Sequence, residues 1–159
     1  MKRIFLCTLL VVLSLTAEAR RNNDRGDRGG DNGRNNDQVY AEPAADAKDG
    51  DIIRAMNGHK NVNFVEGAGM VVTRLLPDDN SGLKHQKWMV RLSDGREMEA
   101  VYNSDMCPRV PVKVGDVVSM GGMFLWLGHN GMIHWLHHDP RGNRPDGYVE
   151  LNGTFYCKN

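Results

Sequence analysis

The spacing of apolar side chains divides the chain into three regimes. Residues 4–15 form an almost unbroken apolar run, residues 20–37 carry no apolar side chain, and alternation begins near Val62. It is cleanest at residues 87–93, with Trp88, Val90 and Leu92 on one face and Lys87, Met89 and Arg91 on the other. That two-residue period is the mark of a strand. Asp94-Gly95 follows, a strong two-residue hairpin signal. Residues 96–102 then return, with Met98, Ala100 and Tyr102 opposite Glu97, Glu99 and Val101.

The same reading extends both ways. Residues 51–57 predict one short helix with Ile52, Ile53 and Met56 on its apolar side. Residues 62–76 predict a long strand, bent or bulged where Gly67 and Gly69 interrupt it. Residues 77–82 read as a loop, and Pro108 and Pro111 bound an irregular link. After a turn at Val114-Gly115-Asp116, residues 117–120 are a strand, Gly121-Gly122 a sharp bend, and residues 123–127 a further strand. Gly128-His129-Asn130-Gly131 reads as a hairpin loop returning through residues 132–136. Asn152-Gly153 centres a last hairpin of residues 147–151 and 154–157.

Many short strands and one helix predict a mostly all-β domain over residues 51–159. The expected form is a small OB-like, five-stranded Greek-key barrel with a short N-terminal helix and a C-terminal hairpin. A sandwich would need about seven evenly spaced strands. About a hundred residues suffice for one hydrophobic core.

The first two regimes lie ahead of that domain. Lys2 and Arg3, the apolar run and Ala17-Glu18-Ala19 have the layout of a secretory signal peptide over residues 1–19. The run is too short for a stable membrane span, and no later segment is long and apolar enough. The expected product is soluble and either periplasmic or secreted. Residues 20–37 comprise five Arg, five Asn, four Asp and four Gly. With nothing to bury, they are expected to form a disordered tether that continues to residue 50.

Removing Lys2, Arg3 and Glu18 from 20 basic and 20 acidic residues leaves 18 and 19, a net charge of −1. That balance does not support phosphate-driven nucleic-acid binding. Cys107 and Cys157 survive cleavage. In an oxidising compartment they are expected to pair, closing a loop of about fifty residues with a stabilisation of roughly 4 kcal/mol. Free thiols or an intermolecular bridge are the alternatives.

Several local patterns together resemble a known family. They are Leu75-Leu76-Pro77-Asp78-Asp79, His85-Gln86-Lys87-Trp88, and Pro108-Arg109-Val110-Pro111 with Val114-Gly115-Asp116. Ile133-His134-Trp135 leading to His137-His138-Asp139-Pro140 completes the set and is its most specific part. They look like a family of small exported bacterial proteins of unknown function, over roughly residues 67–156. The resemblance implies an OB-like barrel and brings no activity. Histidines often stand in that family where this chain has Tyr102 and Arg144, which weakens any metal role needing those positions.

Candidate chemistry concentrates in the same turn. His129, His134, His137 and His138 fall within ten residues and lead into Asp139, Arg141, Arg144 and Asp146. Imidazoles ligate metal, move protons or hydrogen-bond in either direction. A divalent metal such as zinc is one expectation, with His85, His134, His137, His138 and Asp139 as the ligand pool. Spacing opposes using them all: on an extended strand His134 and His138 lie about 13 Å apart and His134 and His137 face opposite sides. A structural turn, closed by an Arg141–Asp146 ion pair, is a second expectation.

Binding without metal is the third and favoured expectation. The ligand, a small molecule or a polymer, would meet the residue 134–146 turn, His85, and the aromatics Trp126 and Trp135. Arg109, Arg141 and Arg144 could contact an anion, and Tyr102 or Asn103 could add hydrogen bonds. A metal-dependent hydrolase, perhaps of a phosphodiester, is the enzymatic alternative. No serine has a nucleophile-elbow context and Cys107 is expected to be oxidised, so other catalytic routes are weak. Asp78-Asp79 reads as a solvated turn.

Overall fold

The computed structural model describes residues 46–158. The signal-peptide reading of residues 1–19, and the tether reading of residues 20–50 as far as residue 45, lie outside the described residues. Of the rest of that tether, Lys48 pairs with β1 (Val62–Asp79) and Asp49 is buried. Chain order is α1 (Gly50–Gly58), β1 (Val62–Asp79), β2 (His85–Arg91), β3 (Glu97–Asn103), β4 (Val117–Trp126), β5 (Gly131–His134), β6 (Tyr148–Leu151) and β7 (Thr154–Tyr156).

Five strands pair in a ring, β1–β2–β3–β5–β4 and back to β1. Only β3 and β5 run parallel, with Met98 opposite Gly131 and Ala100 opposite Ile133. A ring of five strands with an N-terminal helix and C-terminal strands is the mostly β, OB-like architecture expected from the strand number and spacing. β1 serves two neighbours: residues 62–71 pair with β4 and residues 71–79 with β2. Such a strand must curve, and its register shifts between Gly67 and Met70 and again between Val72 and Arg74. Gly69 carries a positive φ of 77° in the first irregularity, and a Cβ there would lie 2.6 Å from the Ala47 backbone. Lys48 pairs with Ala68 at that point.

The core fills from the faces the pattern marked. Trp88, Val90, Leu92, Met98, Ala100 and Tyr102 are fully buried together with Met70, Met120, Phe124 and Ile133. α1 adds Ile52, Ala55 and Met56. Asp49, just ahead of α1, is buried and accepts the Ser93 N–H at 2.7 Å and the Ser93 hydroxyl at 2.6 Å. Gln86 stitches the 108–112 link to β2, donating to the Val110 carbonyl at 2.7 Å and accepting the Val110 N–H at 3.1 Å. Cys107 and Cys157 form a disulfide with Cα atoms 5.6 Å apart, tying the C-terminal segment to the same link.

Four local expectations are corrected. Residues 77–79 still belong to β1, so the loop begins at Asn80. The Asp94-Gly95 hairpin loop has three residues and not two, because Leu92 donates to the Arg96 carbonyl at 2.8 Å and Ser93 joins the turn. Gly121-Gly122 does not interrupt β4; a Cβ at Gly121 would meet the Tyr148 ring at 2.6 Å and one at Gly122 the His134 carbonyl at 2.5 Å. These glycines permit close packing, not a bend. Finally, β5 ends at His134, two residues early, because Trp135 turns into the left-handed region at φ 60°.

Candidate functional site

That turn at Trp135 splits the histidine-rich segment. Leu136 drops into the core, and His137 is only 4% exposed. The His137 carbonyl accepts the Gly147 N–H at 2.9 Å. A Cβ at Gly147 would sit 1.9 Å from the Trp135 carbonyl oxygen, so only glycine lets the returning chain pass this close.

A cleft of about 140 Å³ opens beside the turn, lined by Leu83, His85, Val101, Asn103, His134, Trp135 and His137. β2 contributes His85, and Asn103 of β3 stands directly opposite it, in the register set by Leu92 bonding Arg96 across a three-residue turn. Two roomier grooves, of about 350 Å³ beside α1 and about 330 Å³ beside Asn152, hold no histidine.

Each polar group in the cleft has a defined environment. His137 Nδ1 lies 2.7 Å from the His138 carbonyl. A carbonyl only accepts, so Nδ1 is the donor in this contact. The His134 Nε2 atom lies 3.3 Å from the Met123 sulfur. Burial first, then the charges of Arg144, His137 and His85, holds the His134 pKa below its ordinary value. Asn103 Oδ1 accepts the N–H groups of Asp105 and Met106 at 3.0 and 3.2 Å. The Trp135 ring tilts against His137 at 4.7 Å, and the Arg144 guanidinium lies 4.7 Å from the Trp135 ring centre. The Trp135 Nε1 atom is buried and has no hydrogen-bond partner.

Other expected site residues lie elsewhere. Asp139 organises its own loop: its carboxylate accepts the N–H groups of Arg141, Asn143 and Arg144 at 3.1, 2.7 and 3.0 Å. Those bonds, that of Arg141 foremost, hold its pKa below the usual carboxylate value. The expected Arg141–Asp146 pair is absent among the described residues; Asp146 instead accepts the Asp139 N–H at 2.8 Å. Arg141 is exposed. Trp126 sits at the far end of the β4–β5 hairpin, stacked 4.4 Å from His59. Tyr102 donates its hydroxyl to the Pro108 carbonyl at 2.8 Å, and Arg109 is paired with Asp78.

His138 faces away from the cleft. Its N–H donates to the Cys157 carbonyl at 2.9 Å, and its ring lies against the disulfide. Among the described residues, Cys107, His138 and Cys157 are the one set of three His, Cys or carboxylate ligand atoms within 4.8 Å of one another. Both sulfurs in that set are consumed by the disulfide. The five-residue metal pool is therefore divided: His85, His134 and His137 share the cleft without converging, His138 sits on the disulfide, and Asp139 is spent on its loop. Leu83 and Val101 line the cleft without having been expected; the signal for Val101 was its place on the alternating face of β3 that also carries Asn103.

The sequence pattern of a family described as protein of unknown function (DUF3465) matches residues 37–157. The chain belongs to that family. Within this DUF3465 member the match includes both the ring and the cleft, and it begins ahead of α1, where Lys48 and Asp49 are already built into the fold. No curated protein and no solved structure matches the chain. No helix among the described residues is long and apolar enough to cross a membrane.

Proposed function

We propose that this DUF3465 protein is an exported, non-catalytic binding module whose ligand occupies the cleft of His85, Asn103, His134, Trp135 and His137. The observation that carries the reading is that three histidines, a carboxamide residue and the Trp135 indole line one small concavity. Polar groups placed on otherwise apolar walls are how binding sites fix orientation. OB-type domains also bind on their strand faces and flanking loops, and this cleft joins β2, β3 and the 80–84 loop. Export is supported by the layout of residues 1–19 and by the disulfide, which persists in oxidising compartments.

The metal-dependent hydrolase has less support, because the ligand atoms of its five-residue pool are not gathered at one place. Cell fractionation tests the location: the processed chain should appear outside the cytoplasm with both thiols blocked. The site is tested by following the six histidine ring resonances against a probe panel of sulfate, zinc, glucose and a mononucleotide. Perturbation centred on His85, His134 and His137 supports the reading. Probes that leave those three unmoved contradict it.

A further inference from the structure

We infer that the cleft binds an oxyanion group, a sulfate, phosphate or carboxylate, through N–H donors; this rests on the cleft being the ligand site. The donor inventory leads there. An indole N–H can only donate, and that of Trp135, whose ring lines the cleft, is buried without an acceptor, so an entering oxygen gains it as the ring gives way. A metal ion has nothing to offer an N–H, whereas an anionic oxygen accepts it. Asn103, 7% exposed, has its Oδ1 occupied by two backbone amides, so its NH₂ is what remains for the cleft.

Charge points the same way. No Asp or Glu lines the cleft. The nearby carboxylates are turned to backbone amides: Asp105 to Lys84, Asp139 to three loop residues, and Asp146 to Asp139. Arg144 lies over Trp135 at the rim, with its own backbone fixed by Asp139. Burial first, and then Arg144, His137 and His85, hold the His134 pKa below its ordinary value. That environment disfavours an added cation and favours an anion. A planar guanidinium beside an N–H donor suits charge-assisted recognition of oxygen pairs.

The test titrates the full exported chain with sodium sulfate against sodium chloride at equal ionic strength, and separately with zinc chloride. Sulfate should move the ring signals of His85, His134 and His137 and the Trp135 indole N–H, while His59 and His129 stay still. Arg144→Gln, at an exposed position, and Trp135→Phe should each weaken sulfate binding by about tenfold. Arg144→Gln decides if Trp135→Phe does not fold. Unmoved cleft signals in sulfate overturn the inference, as does full affinity in Arg144→Gln. If zinc moves these signals and sulfate does not, the cleft stays a ligand site and the anion falls. If neither moves them the anion falls, and if glucose and the mononucleotide leave them unmoved as well, both readings fall.

Discussion

His137 and His138 are neighbours in the chain and have opposite surroundings. His137 lines the cleft, with Nδ1 tied to a carbonyl and Nε2 uncommitted, while His138 lies on the disulfide with its backbone bonded to Cys157. Two turns produce the division: Trp135 at positive φ and the Asp139-centred loop that follows. Histidines crowded in sequence are thus shared between a concavity suited to a ligand and a lock that holds the chain's end. Density along a chain does not measure convergence in space.

The lock should show the largest effect. Replacing both Cys107 and Cys157 by serine should lower stability by about 4 kcal/mol for a closed loop of this length, read from denaturant unfolding. Gly147→Ala attacks the crossing that joins lock and cleft. A Cβ there meets backbone atoms of Trp135, His137 and Gly121, none of which can yield as a side-chain tip would. A loss of about 3 kcal/mol is expected by the same measurement. Asp139→Ala sharpens the division further. It removes the acceptor for three loop amides, so the melting temperature should fall; sulfate affinity should fall with it as Arg144 loses its anchor.

The smallest effect is pH-dependent and belongs to the cleft. The His134 pKa in the folded protein lies below its ordinary value of 6.5, chiefly through burial. Below that pH the unfolded chain binds more protons than the folded one. The contribution is therefore fully present above about pH 6.5 and is lost as pH falls toward the folded value. Negative charge in the cleft favours the imidazolium. Thermal unfolding measured against pH should show a shallower acid loss in sulfate than in chloride at equal ionic strength.

The strands of the ring were legible in the sequence because alternation reports directly on strand faces and hairpin dipeptides on where the chain turns back. Trp88, Val90, Met98, Ala100 and Tyr102 all face inward as the two-residue period requires. His85 lay just ahead of the strand expected over residues 87–93, and its place opposite Asn103 follows from a turn one residue longer than the Asp94-Gly95 dipeptide suggested. The metal pool was not resolved, because nothing in composition reveals that Trp135 adopts a left-handed backbone. Gly121, Gly122 and Gly147 were likewise opaque. Pattern shows that a side chain is missing, and only the fold shows whose atoms fill its place. Asp49 and Gln86, buried and bonded to distant backbone, lay beyond any local rule.

The division between cleft and lock is tested most directly by the sulfate affinities of His85→Ala and His138→Ala, compared in one titration series. The account predicts that His85→Ala weakens sulfate about tenfold, while His138→Ala stays within about twofold of the parent chain. Equal losses in the two variants, or a loss confined to His138→Ala, would contradict it.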